Sequence, residues 1–103
     1  MIKIEVEKSS GAIVSIKASG HAGSGEYGHD LVCAGVSAIL TGGANAINEK
    51  KSFDIKLSSG DAMIRLKDNE MLSTHDEVVL ETILVELQTI EESYRKFITI
   101  EIL

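Results

Sequence analysis

The chain has one cysteine, no tryptophan, two tyrosines and two phenylalanines in 103 residues. A single cysteine makes no internal disulfide, so nothing in the sequence calls for an oxidising compartment. With so few rings, the core must be built from Ile, Leu and Val. No apolar run approaches the ~20 residues that span a bilayer. The opening MIKIEVEKSS alternates apolar with charged residues and lacks the hydrophobic segment of a secretory signal. Basic side chains are also scarce: ten Lys and Arg against sixteen Asp and Glu give a net charge of −6. That charge repels phosphate backbones and excludes direct nucleic-acid binding as an expectation. Together these absences describe a soluble, cytoplasmic protein with no membrane role.

What is present is a hydrophobic fraction of 44%, enough for one core without disulfide or metal staples, and residues 1–103 are read as a single domain. Ile2, Ile4 and Val6 alternate with Lys3, Glu5 and Glu7, the period of a strand with one buried face. The turn Ser9-Ser10-Gly11 leads into a second strand, Ala12 to Ser19, in which Val14, Ile16 and Ala18 point to the core. A helix begins near Asp30 and carries Leu31, Val32, Val36, Ile39, Leu40, Ala44 and Ile47 as an apolar stripe, with Gly42-Gly43 a point at which it can bend or break.

A second hairpin places Phe53, Ile55 and Leu57 beside Ala62, Ile64 and Leu66 across Ser58-Ser59-Gly60-Asp61. Thr74-His75-Asp76-Glu77 matches a capping box with Thr74 as N-cap. It opens a helix whose stripe runs through Val79, Leu80, Ile83, Leu84, Leu87, Ile90 and Tyr94, and a strand from Ile98 to Ile102 closes the chain. The order ββαββαβ, with strands apolar on one side only, predicts an α+β fold: a single mixed sheet with both helices on one face. The other face is left to solvent or a second subunit.

The chemistry concentrates between Gly20 and Leu40, GHAGSGEYGHDLVCAGVSAIL, which holds the only cysteine and two of the three histidines. With Asp30 as N-cap, Cys33 falls in the first helical turn, where unpaired N–H groups and the helix dipole favour thiolate over thiol. His21 is delivered by the second strand to the end of the sheet from which the helix departs. Three readings compete. In a cysteine hydrolase Cys33 attacks a carbonyl, His21 takes the thiol proton, and N–H groups at the helix start hold the oxyanion. Asp30 is then either a third member orienting His21 or only a helix cap, and Ser37, one turn beyond Cys33, would contact substrate. Gly20, Ala22, Gly23, Gly25, Tyr27 and Gly28 would form a substrate loop able to close over a peptide.

The second reading is a metal site, since His29 and Cys33 are four apart with His21 and Asp30 near, but a single cysteine is poor in ligands for structural zinc. The third is a non-catalytic binding module or ribosome-associated factor with Cys33 as a small core residue. His75, far away in sequence, reads as a solvent-exposed histidine. Nothing in the sequence implies a cofactor or a bound metal.

Gly20-His21-Ala22, Gly28, Asp30, Cys33-Ala34 and Val36-Ser37 resemble the signature of the bacterial ribosomal-processing cysteine protease family, Prp, and chain length and element order are similar throughout. The resemblance implies an endopeptidase that removes a short N-terminal extension from the twenty-seventh large-subunit ribosomal protein, cutting after phenylalanine. It implies Cys33 and His21 as the catalytic dyad, supporting positions at Asp30 and Ser37, and a homodimer. The sequence departs from the family in Gly35, where alanine is common, and in His29, a second imidazole before the thiol that would compete with His21 as base.

Overall fold

Alternating Ile2, Ile4 and Val6 form the buried side of β1 (Ile2–Ser9), which turns through Ser10 and Gly11 into antiparallel β2 (Ala12–Ser19). A computed structural model of the chain describes residues 1–23 and 30–103. Helix α1 (Leu31–Ala46) follows, then β3 (Phe53–Ser58), β4 (Asp61–Leu66), α2 (Thr74–Ser93) and β5 (Ile98–Ile102). The five strands make one sheet in the order β3-β4-β2-β1-β5, antiparallel except for the parallel pair β1 and β5. This is the expected ββαββαβ order in a single mixed sheet.

Directly paired residues share a face of a sheet. Ile4 opposes Ala18, Val6 opposes Ile16, and Ile16 opposes Ile64, so one face carries a continuous aliphatic layer. Val32, Val36, Leu40 and Ala44 of α1 and Leu80, Ile83, Leu84 and Leu87 of α2 belong to the same buried cluster, which puts both helices on that face. Lys3, Glu5, Lys17 and Arg65 lie on the other, where the pairs Glu5–Lys17 and Ser15–Arg65 are in register.

Several sequence expectations need correction. Val14 was expected to point inward, yet Ile13 is the buried residue and Val14 is half-buried. A bulge explains this: Glu7 pairs with Ser15 and Lys8 with Ile13, so Val14 is the extra residue and the alternation slips by one. Leu31 and Leu57, placed in apolar stripes, are 75% and 44% exposed. Tyr94 ends α2 as its C-cap and is also exposed.

The N-cap of α2 is Ser73 rather than Thr74, its hydroxyl accepting the Asp76 N–H at 3.1 Å. The shift by one residue makes Asp76 the third residue of the helix, fully buried, with its carboxylate accepting the N–H groups of Asn48 at 2.8 Å and Glu49 at 3.0 Å. It thereby fastens the segment leaving α1 to the start of α2. Helix α1 runs unbroken through Gly42-Gly43. Gly43 is there for space, because a Cβ would collide with Ile83 of α2.

Candidate active site

Asp30 has the extended backbone of an N-cap (φ −78°, ψ 99°), and its Oδ1 accepts the Cys33 N–H at 3.0 Å. The cap fixes the first turn of α1, so Cys33 stands at the third helical position as the sequence predicts. Its side chain is half-buried against the core. Val32 and Val36, which flank it on the helix, are buried, and their packing sets the rotation that brings the sulfur toward β2.

From the other side, β2 ends at Gly20, whose positive φ of 89° turns the chain and whose Cα faces the Met1 carbonyl so closely that a Cβ would clash with it. The turn carries Ala22 under α1, where its N–H donates to Cys33 Sγ at 3.2 Å. Gly20 N–H donates to the Gly60 carbonyl at 3.0 Å, joining this corner to the β3–β4 turn. His21 is exposed between these anchored neighbours.

The influences on the thiol run against the lowering that a helix start favours. Burial pushes its pKa above the ordinary value, the Ala22 N–H opposes this, and the Asp30 carboxylate adds to it by hydrogen bond and by charge. The cap that was expected to leave helix-start N–H groups open instead takes up those of Cys33 and Ala34 and sets a negative charge beside the sulfur. Among the described residues no hydrogen bond links Cys33 to His21.

A cavity of about 40 Å³ opens at Cys33, lined also by Gly20, Val36, Ser37, Gly60 and Asp61. Beside it, sharing Ser37, Leu40 and Ala62, lies a groove of about 300 Å³ that continues along Leu57, Ser58 and Ser59. Ser37 thus stands at the junction of the two, exposed, one turn from the thiol. Gly23 is exposed with positive φ, whereas Gly25, Tyr27, Gly28 and His29 lie outside the described residues. The sequence missed Gly60 and Asp61 because the second hairpin meets the thiol only through strand pairing. His75, read as merely exposed, has its Nε2 at 2.9 Å from the carbonyl of Ala46 at the end of α1.

A sheet that brings one thiol and one imidazole to the same corner, backed by a helix, is an arrangement of the cysteine-nucleophile enzymes, and comparison with known proteins places the chain within that class. Residues 1–99 match the family model described as cysteine protease Prp, and the chain belongs to that family. The ribosomal processing cysteine protease Prp of Staphylococcus aureus is 39% identical over 101 residues, 93% of each chain. The Bacillus subtilis protein of the same name is 34% identical over 89 residues, 81% of this chain and 80% of that one.

Among solved structures, the S. aureus protease with a covalently linked product peptide superposes with a TM-score of 0.87 at 39% identity over the whole of both chains. The same protease with a substrate peptide gives 0.81 at 38%, again over both chains in full. The chain is accordingly a cysteine protease, which removes the non-catalytic binding module from consideration.

Proposed function

We propose that this chain is an endopeptidase that trims the N-terminal extension of the twenty-seventh large-subunit ribosomal protein, after phenylalanine, in the cytoplasm and as a homodimer, with Cys33 as nucleophile and His21 as general base. The observation that carries the dyad is that Cys33 is the only thiol in the sequence and lies at the cavity wall with a backbone donor aimed at its sulfur. The ribosomal target is supported by the names of the S. aureus and B. subtilis relatives, and a thiol-linked course by the covalently bound product peptide of the S. aureus enzyme.

In this reading His21 takes the proton of the Cys33 thiol and leaves a thiolate that attacks the scissile carbonyl of a peptide in the groove. The Ala22 N–H is a donor in place beside the reacting centre, where negative charge develops on the tetrahedral intermediate. Collapse expels the amine with the proton from His21, and water, deprotonated by the same imidazole, hydrolyses the thioester. No metal or cofactor takes part.

The test is to incubate the protein, and separately its Cys33→Ala variant, with the N-terminally extended ribosomal protein and to read fragment masses. One cut after phenylalanine by the parent chain and none by the variant is expected; cleavage by Cys33→Ala, or an intact substrate with both, overturns the reading. His21→Ala should abolish cleavage while His29→Ala keeps most of it, and the reverse would move the base to His29. Sedimentation velocity at micromolar concentration should give twice the 11.1 kDa chain mass.

A further inference from the structure

We propose that Gly60, in the turn between β3 and β4, is a positioning residue for the imidazole of His21: the ring rests where a side chain of residue 60 would be. The inference deepens the dyad reading above and rests on it. An ideal Cβ on Gly60 would stand 2.7 Å from His21 Nε2 and 3.1 Å from Cε1. Such separations are closer than non-bonded atoms tolerate, so ring and side chain cannot share the place.

The backbone alone does not explain the contact. Gly60 has a φ of +75° and would be favoured in its turn for that reason, but Gly11, in the turn of the first hairpin, has a φ of +83° and open space around its Cβ position. The two glycines therefore share a positive φ, in turns that differ at the residue before (Ser10 has a φ of +52°, whereas that of Ser59 is not positive), and only the second has an imidazole seated on it. Moreover, the Gly60 carbonyl accepts the Gly20 N–H at 3.0 Å, so the residue before His21 is tied to the same point as its ring.

Gly60 and Cys33 line one cavity, which puts the seat on the wall opposite the thiol helix. The His21 ring makes no hydrogen bond among the described residues, and its contact with Gly60 restricts the rotamers it can take. A methyl group there lifts the ring off the wall and leaves the thiol without its base. A misplacement of about 1 Å in such a group costs on the order of a hundredfold in rate.

The matched pair of glycines supplies the experiment. Peptide cleavage and the pH dependence of Cys33 alkylation by iodoacetamide are measured for the parent chain, Gly60→Ala, Gly11→Ala, His21→Ala and the double variant His21→Ala/Gly60→Ala, each with a melting curve. Gly60→Ala should lower kcat by about tenfold or more with little change in KM, and should raise the alkylation midpoint in the direction of His21→Ala. Gly11→Ala should lose stability alone, and adding Gly60→Ala to His21→Ala should leave the midpoint where His21→Ala put it.

Equal kcat and midpoint in Gly60→Ala and Gly11→Ala, or a further midpoint change in the double variant, overturns the seat. If His21→Ala itself cleaves normally, the dyad assignment falls and the seat with it; if His21→Ala is inactive while Gly60→Ala behaves as Gly11→Ala does, the seat alone falls. Should the alanine variant unfold, Gly60→Asn and Gly11→Asn repeat the comparison, since asparagine accepts positive φ more readily and still places a Cβ beneath the ring.

Discussion

At Cys33 the residues that hold the thiol in place also set its reluctance to ionise. Burial dominates, the Ala22 N–H counters it, and the Asp30 carboxylate reinforces it while capping the helix. Structural and electrostatic roles of Asp30 separate in two substitutions. Asp30→Asn keeps an oxygen acceptor for the Cys33 N–H but removes the charge, so the pH midpoint of Cys33 alkylation should fall with little loss of stability. Asp30→Ala should lower the midpoint too and cost about 1 kcal/mol in urea denaturation through loss of the cap. A midpoint that rises in either variant would contradict the charge argument. At this scale the places of Cys33 in the first turn of α1, of His21 just past β2 and of Asp30 as cap were legible in the spacing. The direction of the thiol's titration was not, because desolvation depends on which neighbours the fold stacks around the sulfur.

Within the elements, α1 is decided by what faces it. Gly42 and Gly43 both lower helix propensity, yet a Cβ on Gly42 meets nothing within 4 Å and one on Gly43 would run into Ile83. Gly42→Ala should therefore stabilise the protein by up to about 1 kcal/mol. Gly43→Ala should lower stability by roughly 1–3 kcal/mol through overpacking against α2, despite the same propensity gain. Thermal melting of the pair reads the difference.

The junction of the helices depends on Asp76. Burial alone would push its carboxyl up, but the N–H groups of Asn48 and Glu49, the Ser73 hydroxyl and the nearby His75 hold it below the ordinary carboxylate value. Its contribution is complete above the unfolded carboxyl's pKa and is lost as pH falls through the lower folded value, so the parent chain should lose stability on acidification below about pH 4. Asp76→Ala should remove that part of the acid dependence and cost roughly 2–4 kcal/mol at neutral pH, since two hydrogen bonds to a buried carboxylate are lost together. Urea melts at stepped pH check both. The capping signal was legible one residue out of place; the partners of Asp76 were not, because they lie across the fold.

For the molecule as a whole, the net charge of −6 has a use if the substrate is basic, as ribosomal proteins are: long-range attraction raises the rate of encounter, and salt screens it. Cleavage of the full-length basic substrate should fall steeply between low and physiological ionic strength, while a short neutral peptide with the same cut site should be nearly unaffected. Equal salt dependence of kcat/KM for the two would sink the capture idea. Among the described residues no helix is long and apolar enough to cross a membrane.

Local periodicity by itself determined the element order, the one-sided sheet and the strand and helix that carry His21 and Cys33, because strand and helix repeats are written in neighbouring residues. Tertiary structure alone decided the bulge at Val14, the direction in which the thiol's pKa moves, the place of Asp76 between the helices and the contact of His21 with Gly60. The first two depend on strand register and burial, which neighbouring residues do not encode, and the last two join segments far apart in the chain that only the stacking of α1 on α2 and the pairing of β2 with β4 bring within range of one another.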